Sequence, residues 1–198
     1  YGIFKSLPPV VSKILYDDGK YFNSKPRYGK NINKPFLDQY NVLISLPKLS
    51  RIDDGSSNNF LNMQNSATHE PFQRFQLPDY ELRDYVDNSN YKTFADGKIS
   101  MENDSQFLHY QVNMVSLLAL GKWFDFMREN GVYDNTRVII AADHGRGLAQ
   151  FDYMMMENPK IDVEWCNPLL MVKDFGETEF KTSGDFMTNA DVPTLATK

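Results

Sequence analysis

Asp143-His144-Gly145 is the stretch of this chain whose residue types most plainly suggest chemistry. A carboxylate and an imidazole, offered side by side next to a glycine that blocks no approach, make two corners of a site for a divalent cation. Zinc, manganese, magnesium and calcium all accept a carboxylate, while the imidazole favours the transition metals. Two ligands do not complete a site, since a catalytic zinc takes at least three from protein. The plainer alternative is that Asp143 caps a loop and His144 lies on the surface. His69, within Thr68-His69-Glu70-Pro71-Phe72, is a second candidate. It can donate a hydrogen bond to a bound anion or act as general acid; alternatively it packs on Phe72 in a turn. His109, the remaining histidine, has no partner at a ligand spacing and reads as structural. Asp53 and Asp54 are paired carboxylates in a Gly/Ser turn, where turn formation is the simpler role.

The elements that must position these residues can be read from periodicity. Apolar residues at three- and four-residue steps predict a long helix from Phe107 to Asn130, with Tyr110, Met114, Leu117, Leu118, Gly121, Phe124 and Met127 along its stripe. Gly131 supplies the left-handed residue that ends it. Asp134-Asn135 makes a turn. Thr136 to Ala142 then forms a nearly continuous apolar strand, and Pro168 to Val172 a second. Such runs suit parallel strands covered on both faces. Asp191 is placed to cap a following helix, with Pro193 in its first turn. Upstream, residues 36–50 have helical spacing, Asn59 to Gln64 reads as a short strand, and residues 73–105 read as a polar surface excursion. Val10 to Tyr16 is expected to form a short helix before the turn at Asp17-Asp18-Gly19. Helix, buried strand, loop, buried strand and helix is an α/β pattern. Asp143 and His144 then fall at the carboxyl end of a strand, where open α/β sheets bind their ligands.

Bulk properties narrow the function classes. The chain has 198 residues and a formal charge of −5, from 21 basic and 26 acidic side chains. No basic run or stripe is present, so a nucleic-acid partner has no electrostatic footprint. The single cysteine, Cys166, excludes an intramolecular disulfide and a cysteine-based zinc site. No stretch approaches the roughly 20 apolar residues of a membrane helix. The chain contains no glycine-rich phosphate loop, no Gly-x-Ser-x-Gly elbow and no His-Glu-x-x-His helix. It begins without Met and closes at Thr197-Lys198 within the opening of a helix, so both ends are expected to be cut from something larger.

The run from Tyr110 to Ala142 into Asp143-His144-Gly145 resembles the sulfatase-like branch of the alkaline phosphatase superfamily. In that branch a long helix ending in Gly-x-x-Asp-Asn-Thr feeds a strand ending Asp-His-Gly. Here the corresponding residues are Gly131-Val132-Tyr133-Asp134-Asn135-Thr136. Asn167 to Val172 and Thr188 to Thr194 come next in the same order. Thr68-His69-Glu70-Pro71-Phe72 looks like the Thr/Ser-His-x-Pro-Phe element of the membrane-anchored phosphoglycerol and phosphoethanolamine transferases and the lipoteichoic-acid-synthase-like proteins. The likeness covers residues 36–198 and is clearest from 107 onward.

This resemblance implies a single partial domain over 1–198, with an alkaline-phosphatase-like sheet of mainly parallel strands flanked by helices and incomplete on its N-terminal side. It implies that Asp143 and His144 bind a divalent metal (manganese, magnesium, calcium or zinc) and that His69 contacts the substrate phosphate or the leaving group. The family's nucleophile and first metal-binding acid lie upstream, and residues 1–35 offer no substitute. Arg146 stands where many relatives carry an acid. The implied reaction is attack of a metal-activated hydroxyl on a sulfate ester or phosphodiester. Its substrate would be a small-molecule, lipid-linked or glycan ester. The parent protein would face outward from a bacterial membrane, anchored through upstream segments. The chain alone is expected to be inactive and largely metal-free. A different class of function, a non-catalytic module of the same fold binding a glycan or lipid head group, is the alternative.

Overall fold

Two helices with apolar stripes pack on one another and carry the core of this computed structural model. The structure describes Pro8, Val11 and residues 32–197, apart from 54, 56–57, 71, 92, 95–96 and 98. The helix expected over Val10–Tyr16 and the turn after it fall outside these residues, Val11 excepted, as do Asp54 and Pro71.

Helix α1, Lys34–Leu49, has a proline in its first turn, where the missing N–H costs nothing, and buries Phe36, Leu37, Leu43 and Leu46. Helix α2, Asp104–Glu129, is N-capped by Asn103, whose side chain accepts from Gln106 N. Gln106 reaches back to accept from Glu102 N, one residue before the cap, at 2.8 Å. At the other end Gly131 takes φ +70°, Val132 N bonds Met127 O, and Gly131 N bonds Arg128 O. This is a Schellman stop, placed where the glycine predicts it.

Of the stripe expected on α2 only Met127 is buried. Phe107, Gln111, Val112, Val115, Ser116 and Ala119 face the core, while Leu117 and Leu118 are exposed. Besides the capping Gln106, two polar residues lie in the buried stripe because each finds a partner there. Gln111 donates to Phe75 O at 2.8 Å and accepts from Phe75 N at 3.1 Å, and Ser116 Oγ donates to Val112 O at 2.7 Å. Phe36, Leu37, Leu43, Leu46, Ala67, Phe75, Val112, Val115 and Ala119 form the core cluster between α1, α2 and the segment that crosses them.

That crossing segment corrects two expectations. Residues 59–64 form no strand; they run as irregular chain, and beyond them Asn65 donates to Gln39 O at 3.0 Å. Of the stretch 73–105, Gln73, Phe75 and Leu77 are buried in the core, and the surface excursion is confined to residues beyond Leu77. There strands β1 (Thr93–Phe94) and β2 (Ile99–Ser100) pair antiparallel.

Strand β3, Val138–Ala141, pairs with β6, Leu170–Lys173, in register Val138↔Lys173 to Ala141↔Leu170. The pairing is antiparallel, and each sheet among the described residues is a two-stranded antiparallel one. Each run reads in sequence as a strand of a mainly parallel sheet; with one another they pair antiparallel, and no parallel pair occurs among the described residues. A parallel pair needs a crossover, usually a helix. The connection here holds two 3-10 turns (Asp152–Met154 and Val163–Cys166) and the hairpin β4–β5 (Met155–Glu157 with Lys160–Asp162), so the chain re-enters from the end it left. Nor are the two strands covered on both faces: Ala141, Met171 and Val172 are exposed. The coarse expectation of mixed helices and strands holds. A short helix, α3 (Val192–Thr197), ends the described chain. Asp191 precedes it, but its carboxylate accepts from Thr188 N and closes a capping box on the preceding 3-10 turn. Among the described residues no helix is long and apolar enough to cross a membrane.

Candidate functional site

Strand β3 ends at Ala141, and the chain turns out at Ala142 into Asp143-His144-Gly145-Arg146-Gly147. This loop lies against the 3-10 turn Val163–Cys166. Gly145 N donates to Trp165 O at 3.0 Å. A Cβ on Gly145 would stand 1.9 Å from Glu164 O, and one on Gly147 would stand 2.1 Å from Trp165 Nε1. Only glycine permits so close an approach. Beyond it, the buried Glu164 carboxylate accepts from the backbone N–H groups of Leu148, Gln150 and Phe151, each at 3.0 Å. Asp162 accepts from Ala149 N at 2.7 Å, and Ala149 is held at φ +48°. These two carboxylates fix the loop by satisfying donors that would otherwise go unpaired.

The aspartate and histidine project from this scaffold. The Asp143 side chain is 92% exposed and that of His144 50%. Asp143 Oδ1 accepts from His144 N at 3.0 Å, leaving Oδ2 outward. His144 Nδ1 lies 2.6 Å from Gly145 O. A carbonyl can only accept, so Nδ1 carries the proton and Nε2 presents its lone pair. Nε2 is 3.9 Å from Asp143 Oδ2. Two ligands held by one ion at about 2.1 Å and a near-tetrahedral angle are roughly 3.4 Å apart, so a small side-chain adjustment fits the pair to a metal. Among the described residues no group of three His, Cys, Asp or Glu side chains is gathered. The pair alone would supply two corners of such a site. Asn189 Nδ2 donates to Asp143 O at 2.8 Å, which brings the Thr188–Asp191 segment to the same place.

His69 is brought to this loop by a contact that the sequence does not announce. Arg146 Nη1 forms an ion pair with Glu70 Oε1. His69 itself is exposed, and its Nδ1 lies 3.0 Å from Glu70 O and 3.6 Å from Glu70 Oε2. Nδ1 again carries the proton, so Nε2 is an acceptor and His69 donates to an anion from that atom only as imidazolium. The ring that meets Phe72 belongs to His109, edge-on at 5.6 Å between centroids. The loop carrying His69 is pinned from behind: Gln73 accepts from Asn33 N at 2.7 Å, and Gln111 brackets Phe75.

A scan of protein-family models, a search of curated proteins and a search of solved structures each give no match to this chain.

What the site can do therefore rests on its own geometry. His109, read from sequence as structural, lies beside the charged part of the site. Burial holds its pKa below the ordinary histidine value; Arg146 adds to the effect, while Glu70 and Glu164 oppose it. Arg146, Glu70, Glu164 and Asn189 are the residues that sequence reasoning did not select. Arg146 alone carried a signal, as a base standing next to a candidate metal corner.

Proposed function

We propose that this chain is the C-terminal part of a metal-dependent, sulfatase-like hydrolase or phosphoryl-group transferase, acting on a sulfate ester or phosphodiester. The observation that carries the reading is the convergence of Asp143-His144 and His69-Glu70, linked through Arg146, at the carboxyl end of β3. Asp143 Oδ2 and His144 Nε2 would hold a divalent ion. When bound, that ion would neutralise charge building on the ester oxygens. His69, on the loop that the Arg146–Glu70 ion pair ties to this one, would as imidazolium donate to the anionic ester or to the departing oxygen. The alkaline-phosphatase-like sheet belongs to the same proposal, supported by apolar residues on β6 and α2 that the described residues leave exposed.

The decisive experiment compares this chain with one extended upstream, each assayed on bis(p-nitrophenyl) phosphate and p-nitrophenyl sulfate with Mn²⁺, Mg²⁺, Ca²⁺ or Zn²⁺. The short chain is expected to be inert. The extended chain is expected to show metal-dependent turnover that Asp143→Asn and His144→Gln each abolish. An extended chain that folds and stays inert with every metal and both esters defeats the reading, and ester binding without turnover would favour the non-catalytic module.

A further inference from the structure

We propose that Arg146 is a positioning residue for His69, acting through Glu70; this deepens the reading above and rests on it. The backbone of Arg146 is fixed from one side, because Gly145 is bonded to Trp165 O and both flanking glycines lie too close to the 163–166 turn to shift. Its side chain crosses to the other loop. The guanidinium lies 5.4 Å from the Trp165 ring centre and 6.0 Å from that of Phe72, between an aromatic of each loop. Its Nη1 meets Glu70 Oε1, and the second oxygen of the same carboxylate faces His69 Nδ1 at 3.6 Å. One carboxylate thus spans the arginine and the histidine. Together with the Glu70 carbonyl, 3.0 Å from the same nitrogen, its charge favours the tautomer in which His69 Nδ1 is protonated.

Two further features distinguish this tie from an ordinary surface ion pair. The Arg146 side chain is mostly buried, whereas freely solvated pairs contribute little. Its Nε is buried and has no acceptor among the described residues. A buried donor left unpaired is uncommon and calls for a reason. The guanidinium holds Glu70 by one nitrogen while lying between two rings, and full bidentate pairing is given up for that position.

The test uses the chain as it stands, with a nitroxide on its single, exposed cysteine, Cys166, next to Trp165. Paramagnetic broadening of the three histidine ring signals reports how close each loop lies to the label, and ¹⁵N shifts report the His69 tautomer. In the parent chain His144 and His69 are both expected to broaden, with His69 protonated at Nδ1. In Arg146→Gln and in Glu70→Gln the broadening of His69 is expected to fall several-fold and the share of its Nδ1-protonated tautomer to drop, though not to vanish, since the Glu70 carbonyl remains, while His144 is unchanged. The double variant should be no worse than either single one. Exchanging the charges, E70R with R146E, should restore the broadening. Unchanged His69 signals in both single variants overturn the proposal. If Arg146→Gln does not fold, Glu70→Gln decides alone, since it leaves the arginine and its rings in place. Mn²⁺ added to the unlabelled chain extended upstream tests the underlying reading separately: a His144 signal indifferent to Mn²⁺ there removes the metal corner and, with it, the site that His69 would serve.

Discussion

The helical half and the strand half of the molecule are built on different terms. Between α1, α2 and the 65–77 segment, apolar side chains are buried and polar ones inside are paired: Phe75 is 0% exposed, and Gln111 beside it bonds both of its backbone groups. Around β3 and β6 the most apolar sequence in the chain lies half open, with Met171 at 38% and Val172 at 43% exposure. Hydrophobicity alone does not say where a core will be. A core forms where several elements present apolar faces to the same space, and the two-stranded pair of β3 and β6 has too few neighbours to do so. The loops of the candidate site lie on the seam, one anchored in each half. They are joined by the Arg146–Glu70 ion pair, and Gln106 of α2 donates to Leu148 O at 3.0 Å.

This contrast makes Phe75 the most sensitive position. Phe75→Ala removes a fully enclosed ring that contacts Phe36 and Tyr40 edge-on at 5.5 and 6.0 Å. Such a truncation costs about 3–5 kcal/mol, and urea unfolding should show the loss. A loss below about 1 kcal/mol would mean that the helical half is no better packed than the strand half.

Next in size is Glu164→Gln. One Gln oxygen replaces two carboxylate oxygens that serve three backbone N–H groups, which leaves at least one buried donor short, at about 1–3 kcal/mol. Amide exchange should rise at Leu148, Gln150 and Phe151 while the α1–α2 core keeps its protection. Equal loosening of both halves would show that they unfold as one unit.

The same contrast marks what was legible in the sequence. The course of α2 from Phe107 and its stop at Gly131 could be read because periodicity and a glycine cap are local properties, while its first turn from Asp104 reads as part of the polar stretch before it. The buried face of α2 could not: a Gln and a Ser count as polar in any pattern, and only the backbone of Phe75, distant in sequence, makes a buried Gln111 reasonable. The runs that form β3 and β6 could be found, but an apolar run does not encode the direction of its partner. Asp143 and His144 were legible as a strand-end pair. The link to His69 was not, because ion-pair partners far apart in sequence leave no spacing to detect, and Glu164 reads as one more surface acid until its turn is seen against residues 148–151.

A pH titration probes the seam directly. His109 is half-buried and its pKa is lowered, first by loss of solvation and then by Arg146, with Glu70 and Glu164 pulling the other way. The folded chain therefore binds its proton less readily than the unfolded chain. Stability should be unaffected well above the ordinary value of 6.5 and fall as pH drops below it, at up to one proton's worth of slope. His109→Gln should flatten that fall in thermal unfolding. Asp174, whose carboxyl is held below the usual range by the Arg137 hydrogen bond, gives way only at the lower pH where free carboxylates protonate, so the two windows separate. An unchanged slope in His109→Gln would show that the histidine is not confined by the seam.

The smallest effect is the most informative about the strand half. Val172 faces solvent on β6, opposite Ile139, and Val172→Thr keeps the branched shape while adding a hydroxyl. On an open face the change should stay within about 0.5 kcal/mol and raise solubility by interrupting an exposed apolar patch. In a longer chain whose added segment covers this face, the same hydroxyl would be buried without a partner and cost about 1–3 kcal/mol. Measured in both, Val172→Thr separates two accounts of the exposed strands. A small cost in the short chain and a large one in the long chain would show that the sheet is a core awaiting its other layer. Equal small costs would show that the open face belongs to the protein's surface, and the support that the uncovered strands lend to a larger parallel sheet would be gone.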